Sequence, residues 1–530
     1  MTTCEGVYMN QLHALADTLQ DLSRWNAFRL RLFFEGIVVG IAGGFTIGSF
    51  IWALDESSEI RRHIFSTYIE PALSNGDVIP FCAWLIFAVF LAYIVYRLCV
   101  HETMAMGGGI PQVKGELLGY FHMRWLPVLY VKFSAMVLGI LGGLSIGREA
   151  PSVQIGAAVA KGISRILKRV PLEEKYLITS GSSAGLAAAF SAPLAGTVFA
   201  LEEMNQSFSS ALLLPSMASA VSATIVTRYV FGQEGIFIFP PMPATTHLLI
   251  LPLILAGAIC GPLGVFYNYG LTHVGRFYNA IHLKGVFPRL LFTFILGAFV
   301  CLALPQITEG GDGLVNSIVD KHPTLSMLLV LFAGKYLFTV LSTGSGIPGG
   351  FLVPMFSIGA LVGAIESNIF ISLGIIDPMY GTNIITAAMA AFVTASMRSP
   401  ITSVLLILEL TGDFSHLTAL VLTAAIAYVT SALVGGKPIY GQLLAISLKN
   451  RKQPAKETRT ILEIPICPGS YLSGKKIEDI HWPACCTLID VRQNEQAHIP
   501  QPDLVLKPGM HLYVYALPKD GTKLLHLGRS

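Results

Sequence analysis

Gly147-Arg148-Glu149-Ala150-Pro151-Ser152-Val153-Gln154-Ile155-Gly156-Ala157 lines up, without a gap, with Gly350-Phe351-Leu352-Val353-Pro354-Met355-Phe356-Ser357-Ile358-Gly359-Ala360. The first glycine, the proline and the Ile-Gly-Ala ending coincide. A second pair follows in the same order: Ser191-Ala192-Pro193 with Leu201-Glu202 matches Arg398-Ser399-Pro400 with Leu408-Glu409. The spacing between paired prolines is 42 residues from Pro151 to Pro193 and 46 from Pro354 to Pro400. Two ordered matches make a diverged internal repeat, whose relative orientation the strings alone leave open.

Composition says what kind of chain carries this repeat. Of 530 residues, 53% are hydrophobic and 13% are charged, where an ordinary soluble domain carries roughly 25% charged residues. So little polar surface means that most of the chain faces lipid. Segments 29–54, 78–100, 211–230, 247–270, 288–305, 325–343 and 417–435 carry few charges, and a stretch of about 20 apolar residues crosses a bilayer. Other apolar stretches read as shorter, opened by Gly-Pro strings and ending at mid-membrane depth. Helices broken in this way are tolerated only where their backbone is buried in protein or lines a cavity, and paired interruptions mark a transporter's binding site.

The expected fold is an all-α polytopic membrane protein with an internal repeat and broken helices, plus a small C-terminal α/β domain. Residues 1–28 read as an amphipathic segment, with Leu12, Leu15, Leu19 and Leu22 at helical spacing. Residues 29–448 form the transmembrane domain and 449–459 a basic linker. Residues 460–530 alternate short apolar runs with Pro-Gly turns at 468–469 and 508–509, the pattern of a small soluble domain.

A net charge of +3, with no long basic run, argues against a nucleic-acid partner. The eight cysteines show no metal-ligand spacing, so no metal or cofactor is expected. Cys82, Cys99, Cys260 and Cys301 read as packing residues. The opening residues show no cleaved signal.

A helix that starts inside the membrane offers unpaired N–H groups and the positive end of its dipole, and both favour an anion. Glycine lets backbone approach the ion, and proline in the first turn forfeits no needed donor. Three strings fit: Gly107-Gly108-Gly109-Ile110-Pro111, Gly147 to Pro151, and Gly349-Gly350-Phe351-Leu352-Val353-Pro354. Such strings also serve close helix packing. Glu149 stands at the start of one of them, and an acid in a membrane interior is a functional candidate. It would compete with an anion for the same donors until protonated, which couples the two movements. The competing reading pairs it with Arg148, although neighbours on a helix do not face each other. Glu202 and Glu203 end the apolar stretch from Gly181 to Leu201, where the bland reading is a helix leaving the membrane.

GGGIP (107–111), GREAP (147–151), GGFLVP (349–354), the LEEM string ending at Met204 and GKPIY (436–440) resemble, in order and spacing, the signature segments of the CLC family of chloride channels and chloride/proton antiporters. The resemblance covers about residues 29–448. It implies an inverted repeat, a homodimer with one pore per subunit, cytoplasmic termini and a multi-pass cell-membrane protein, a bacterial inner membrane being the expected setting. It assigns Glu149 as external gate and proton acceptor, and Glu203 as internal proton-transfer residue. It places chloride against Gly108, Ile110, Phe351, Leu352 and Tyr440, framed by the motif residues Gly107, Pro111, Gly147, Arg148, Pro151, Gly350 and Pro354. An acid at Glu203, which the channel branch usually lacks, favours chloride/proton exchange. A passive chloride channel and an exchanger preferring another anion such as nitrate remain the alternatives.

Three departures stand out. Gly108 replaces a serine whose hydroxyl contacts the anion in most members, so nitrate should compete well. Phe351-Leu352-Val353 changes side chains but keeps backbone donors. Lys114 stands where some bacterial members have a glutamate paired with the lysine matched here by Lys132, so the local charges must differ. A GSGIP string at 344–348 abuts the third motif, and Ser345 is not taken as the missing serine.

The tail, from ILEIPICPGSYLSGKK to LVLKPGMHLYVYALP, resembles the TrkA-C domain, which implies a cytoplasmic, dimer-forming or ligand-sensing element whose small-molecule ligand is unidentified. A membrane-embedded hydrolase is the rival enzyme reading. Ser145 and Ser183 both sit in G-x-S-x-G strings, but His247, His273 and His282 lie at segment edges, so no base is at hand and no enzyme is expected.

Overall fold

A computed structural model describes residues 25–233, 235–237, 239–321, 323–449, 459–483, 486–493, 496–498 and 500–529. The four leucines of the amphipathic N-terminal segment and most of the basic linker lie outside the described residues. Among the described residues, eight helices are long and apolar enough to cross a membrane.

The first of these, Trp25–Ile64, continues through Phe65–Ile69 and Glu70–Ser74. Forty helical residues span about 60 Å, twice a hydrocarbon core, so the expected span 29–54 is only part of a longer element. Leu352–Ser372 corrects the expectation of short helices behind the Gly-Pro strings. At 21 residues it can span by itself, and Glu149–Ile166 has 18. The short elements are Ile110–Leu117, Pro193–Phe199 and Pro400–Thr411. The apolar stretch from Gly181 to Leu201 is likewise not continuous. It breaks at Ser191 and restarts at Pro193.

Backbone geometry establishes the repeat independently of side-chain likeness. Ser191 and Arg398 both adopt the left-handed conformation, at φ 55°, ψ 33° and φ 65°, ψ 29°. The next residues, Ala192 and Ser399, agree to within a few degrees, at φ −123°, ψ 80° and φ −120°, ψ 78°. Each pair is followed by a proline at the first helical position.

The two copies also bind each other reciprocally. Glu202 accepts from the N–H groups of Ile401 (3.2 Å) and Thr402 (2.7 Å), while Glu409 accepts from those of Leu194 (3.0 Å) and Ala195 (2.8 Å). Each carboxylate thus fills the orphan donors at the start of the other copy's helix. Gly147 and Gly350 exchange two backbone hydrogen bonds, 2.8 and 2.7 Å, in an antiparallel bridge. The copies therefore run in opposite directions where they meet, as an inverted repeat requires.

The repeat reaches further back than the quoted strings. Lys132 and Lys335 are 203 residues apart, the offset that separates Gly147 from Gly350, and both are fully buried. Lys132 donates to the carbonyls of Ala105 (2.8 Å) and Gly107 (2.7 Å). Lys335 donates to those of Ile307 (3.1 Å) and Glu309 (2.9 Å). Each ammonium fastens the loop ahead of a helix, with carbonyl oxygens replacing its hydration.

The tail is a four-stranded antiparallel sheet in the order β1-β4-β2-β3, with β1 Thr460–Pro465, β2 Thr487–Gln493, β3 Gln496–His498 and β4 Met510–Ala516. Helix Pro518–Arg529 packs on it, and Ile464, Leu472, Val491, Leu512, Val514 and Leu524 fill the core. The short apolar runs expected in the tail correspond to β1, β2 and β4. The domain does not hang free. Ile461 and Tyr513 share an apolar cluster with Phe28, Leu172 and Tyr176. Tyr176 Oη donates to Glu463 (2.9 Å), and Lys175 donates to the Ile461 carbonyl (2.8 Å).

Cys99, Cys260 and Cys301 are buried, as packing residues should be, whereas Cys82 is exposed, on the apolar outer face of its helix.

Candidate functional site

Glu149 opens helix Glu149–Ile166 and is fully buried. Its Oε1 accepts from the Leu352 N–H at 2.6 Å, at the start of Leu352–Ser372. A carboxylate therefore occupies the donor position that the sequence assigns to an anion. Oε2 has no hydrogen-bond partner. The berth exists because two side chains are missing. A Cβ added to Gly147 or to Gly350 would collide with the Glu149 carboxyl oxygens. Arg148 is not the partner of Glu149; its guanidinium faces Asp55 at 3.3 Å. Arg148 and Asp55 together line a cavity of about 410 Å³ that Glu149 itself does not line.

The first motif meets the third. Gly107 donates to the Gly346 carbonyl (3.3 Å), and Gly349 donates to that of Gly107 (3.1 Å). Gln112 Oε1 accepts from Gly109 N–H (3.1 Å) at the start of Ile110–Leu117, which Pro111 enters without loss of a needed donor. Gly108 has room. A Cβ there would meet nothing nearer than the Ala150 Cβ at 3.7 Å. Ser345 spends its hydroxyl locally on the Ser342 carbonyl (2.7 Å). Phe351 stacks on Tyr440, with ring centroids 5.4 Å apart. Tyr440 is fully buried and its Oη has no hydrogen-bond partner, an open donor of the kind an anion would satisfy.

Glu203 lies on the π-helical turn Ala200–Asn205 and is 2% exposed. Its Oε1 pairs with Lys114 Nζ at 2.9 Å, and its Oε2 accepts from Ser399 Oγ at 2.9 Å. The expected rearrangement around Lys114 thus takes a definite form: Lys114 pairs with Glu203, and Lys132 donates to the carbonyls of Ala105 and Gly107. Sequence reasoning missed Lys335, and it named Ser399 and Glu409 only as repeat positions, without the roles they take here. The 203-residue offset from Lys132 to Lys335 was the available signal.

Of the two serines in the hydrolase reading, Ser145 Oγ is bonded to Thr339 Oγ1 (2.8 Å), and Ser183 Oγ donates to the Ser216 carbonyl (3.1 Å).

Comparison with known proteins agrees with this geometry. Residues 86–432 match the family described as voltage gated chloride channel, and residues 461–527 match the TrkA-C domain. The chain is 35% identical over 432 residues to the H(+)/Cl(-) exchange transporter ClcA of Vibrio cholerae serotype O1 (strain M66-2), covering 79% of this chain and 90% of that one. It is 33% identical over 463 residues to ClcA of Vibrio parahaemolyticus, covering 85% and 97%. A solved slow cyanobacterial Cl-/H+ antiporter superposes with a TM-score of 0.74 at 27% identity, over 80% of this chain and 99% of that one. The broken helices, the inverted repeat and these matches make the chain a multi-pass membrane protein of the CLC family with a C-terminal TrkA-C domain.

Proposed function

We propose that the chain is a secondary active antiporter that exchanges chloride for protons across the cell membrane, and that it makes and breaks no covalent bond in a substrate. The observation that carries this reading is the Glu149 carboxylate on the Leu352 N–H. Uncharged main-chain donors hold a negative group where two helices begin, and the group holding the place is itself titratable. Protonation of Glu149 cancels its charge and frees the donors, so an anion takes its place. When the anion departs, the carboxylic acid releases its proton and returns to the donors as a carboxylate.

Glu149 is the gate and proton acceptor on the outer side, and Glu203 transfers protons on the inner side. The N–H groups of Phe351 and Leu352, the Tyr440 hydroxyl, and the Gly108 and Ile110 backbone hold chloride. The names of the relatives, exchange transporters and an antiporter, support exchange over passive conduction. The reading includes a homodimer with one pore per subunit, cytoplasmic termini, and a division into membrane domain, basic linker and cytoplasmic tail.

The test uses purified protein in liposomes. A chloride gradient should drive protons uphill, and the reversal potential should depend on both the chloride and pH gradients. Glu149→Gln and Glu203→Gln should each keep anion flux and lose proton coupling. Variants that pump protons as wild type does would discard the assignments.

A further inference from the structure

The tail's last helix roofs a cavity of about 350 Å³ against the membrane domain. Lys114, Leu118, Met204 and Gln206 supply one wall, and Leu525 and Arg529 the other. The roof is fastened at both ends. Tyr120 Oη meets the Pro518 carbonyl (3.3 Å) and Thr522 Oγ1 (3.0 Å) where the helix begins. Where it ends, Arg529 donates to the Asn205 carbonyl (2.8 Å) and to Gln206 Oε1. Asn205 closes the same turn that carries Glu203.

Glu203 does not line this cavity, and its two oxygens are held by Lys114 and Ser399. Lys114 touches both the acid and the cavity. Glu202, the more exposed neighbour, is held by three donors at the start of Pro400–Thr411 and serves as a cap. The walls are mainly apolar, but Lys114, Asn205, Gln206, Thr522, His526 and Arg529 put polar groups among them, and a cavity of this size has room for water.

We propose that protons reach Glu203 through this tail-roofed cavity, and that Lys114 is the positioning residue that keeps Glu203 able to cycle. The inference rests on the exchanger reading. As Nζ withdraws towards the cavity, a water-borne proton bonds to Oε1 and leaves a neutral carboxyl group. When that proton moves on towards the site, the carboxylate re-forms and the ammonium, which keeps its three protons throughout, closes on it again. Without the ammonium, Glu203 keeps only the Ser399 hydroxyl and loses the cation that draws its carboxylate back into place after each transfer.

The test measures the ratio of proton to chloride flux for the full chain in liposomes, with folding checked by the thermal transition. Lys114→Met should lose coupling, and Lys114→Arg, which keeps a cation there, should retain it. Leu525→Trp, which fills the cavity from the tail side and changes no residue of the membrane domain, should also lose it. A wild-type ratio in a folded Lys114→Met or Leu525→Trp variant overturns the inference and leaves the exchanger reading intact. A wild-type protein that moves no protons overturns the exchanger reading itself.

Discussion

Glu149 and Leu352 occupy the same place in the two copies of the repeat, and the carboxylate of the first accepts the backbone N–H of the second at 2.6 Å. The repeat thus brings equivalent positions face to face and makes one of them an acid and the other a donor. Two acids here would repel each other across a buried space, whereas two leucines would leave nothing to compete with an anion.

This arrangement makes Gly147 a test of the berth. The nearest atoms to a Cβ built there all belong to the Glu149 carboxyl group. Gly147→Ala should destabilise the protein by about 1–3 kcal/mol, the usual cost of overpacking. In a Glu149→Ala background most of that cost should vanish, a coupling read by thermal unfolding of the four proteins of the cycle. An equal cost in both backgrounds would mean that Glu149 does not sit where described.

Gly108 tests anion choice. The open space around it accommodates a serine side chain, so Gly108→Ser should fold and add a hydroxyl donor near the berth. Relative chloride-to-nitrate flux in liposomes should rise, starting from a wild type that passes nitrate well. Unchanged ratios would remove this position from selectivity.

The crossed caps predict an energetic signature. Glu202→Ala and Glu409→Ala should each cost about 0.5–2 kcal/mol, the range for losing a helix cap. Both carboxylates clamp the same pair of helices, so the double variant should cost less than the sum. Strict additivity in thermal unfolding would show that the two caps act separately.

The tail carries a pH-sensitive pair. Burial lowers the affinity of His511 for a proton, but Glu463, 2.9 Å away, more than offsets this and raises its pKa above the usual 6.5. A raised histidine value stabilises the folded state fully below pH 6.5, and that share is lost as pH climbs through the raised value. Hydrogen exchange of the β1 and β4 amides should therefore quicken between pH 6 and pH 8 beyond the intrinsic rate change. His511→Gln should flatten that excess.

Much of this was legible in the sequence, and the gaps have physical causes. Glycine-proline strings are readable because few other residues let backbone serve as a binding surface. The acids are readable because their burial in lipid needs a reason. The repeat was visible where backbone demands kept both copies alike, at Gly147 and Gly350 and at Pro193 and Pro400, and where the crossed caps kept an acid in each, at Glu202 and Glu409. Lys335 escaped because a single buried ammonium in an apolar run gives no pattern until its offset from Lys132 is counted. The full length of Leu352–Ser372 was hidden by its broken-helix opening, which resembles that of genuinely short elements. Neither the Glu203–Lys114 pair, 89 residues apart, nor the docking of the tail has a local signature.

The crossed caps also constrain how the chain is made. The donors of Leu194 and Ala195 are met by Glu409, which leaves the ribosome some 215 residues after Leu194. At the usual 5–20 residues per second, that is a wait of roughly 10–40 s. During it, the first half sits in the bilayer with an unfinished helix start, and the arrival of the second half completes both at once.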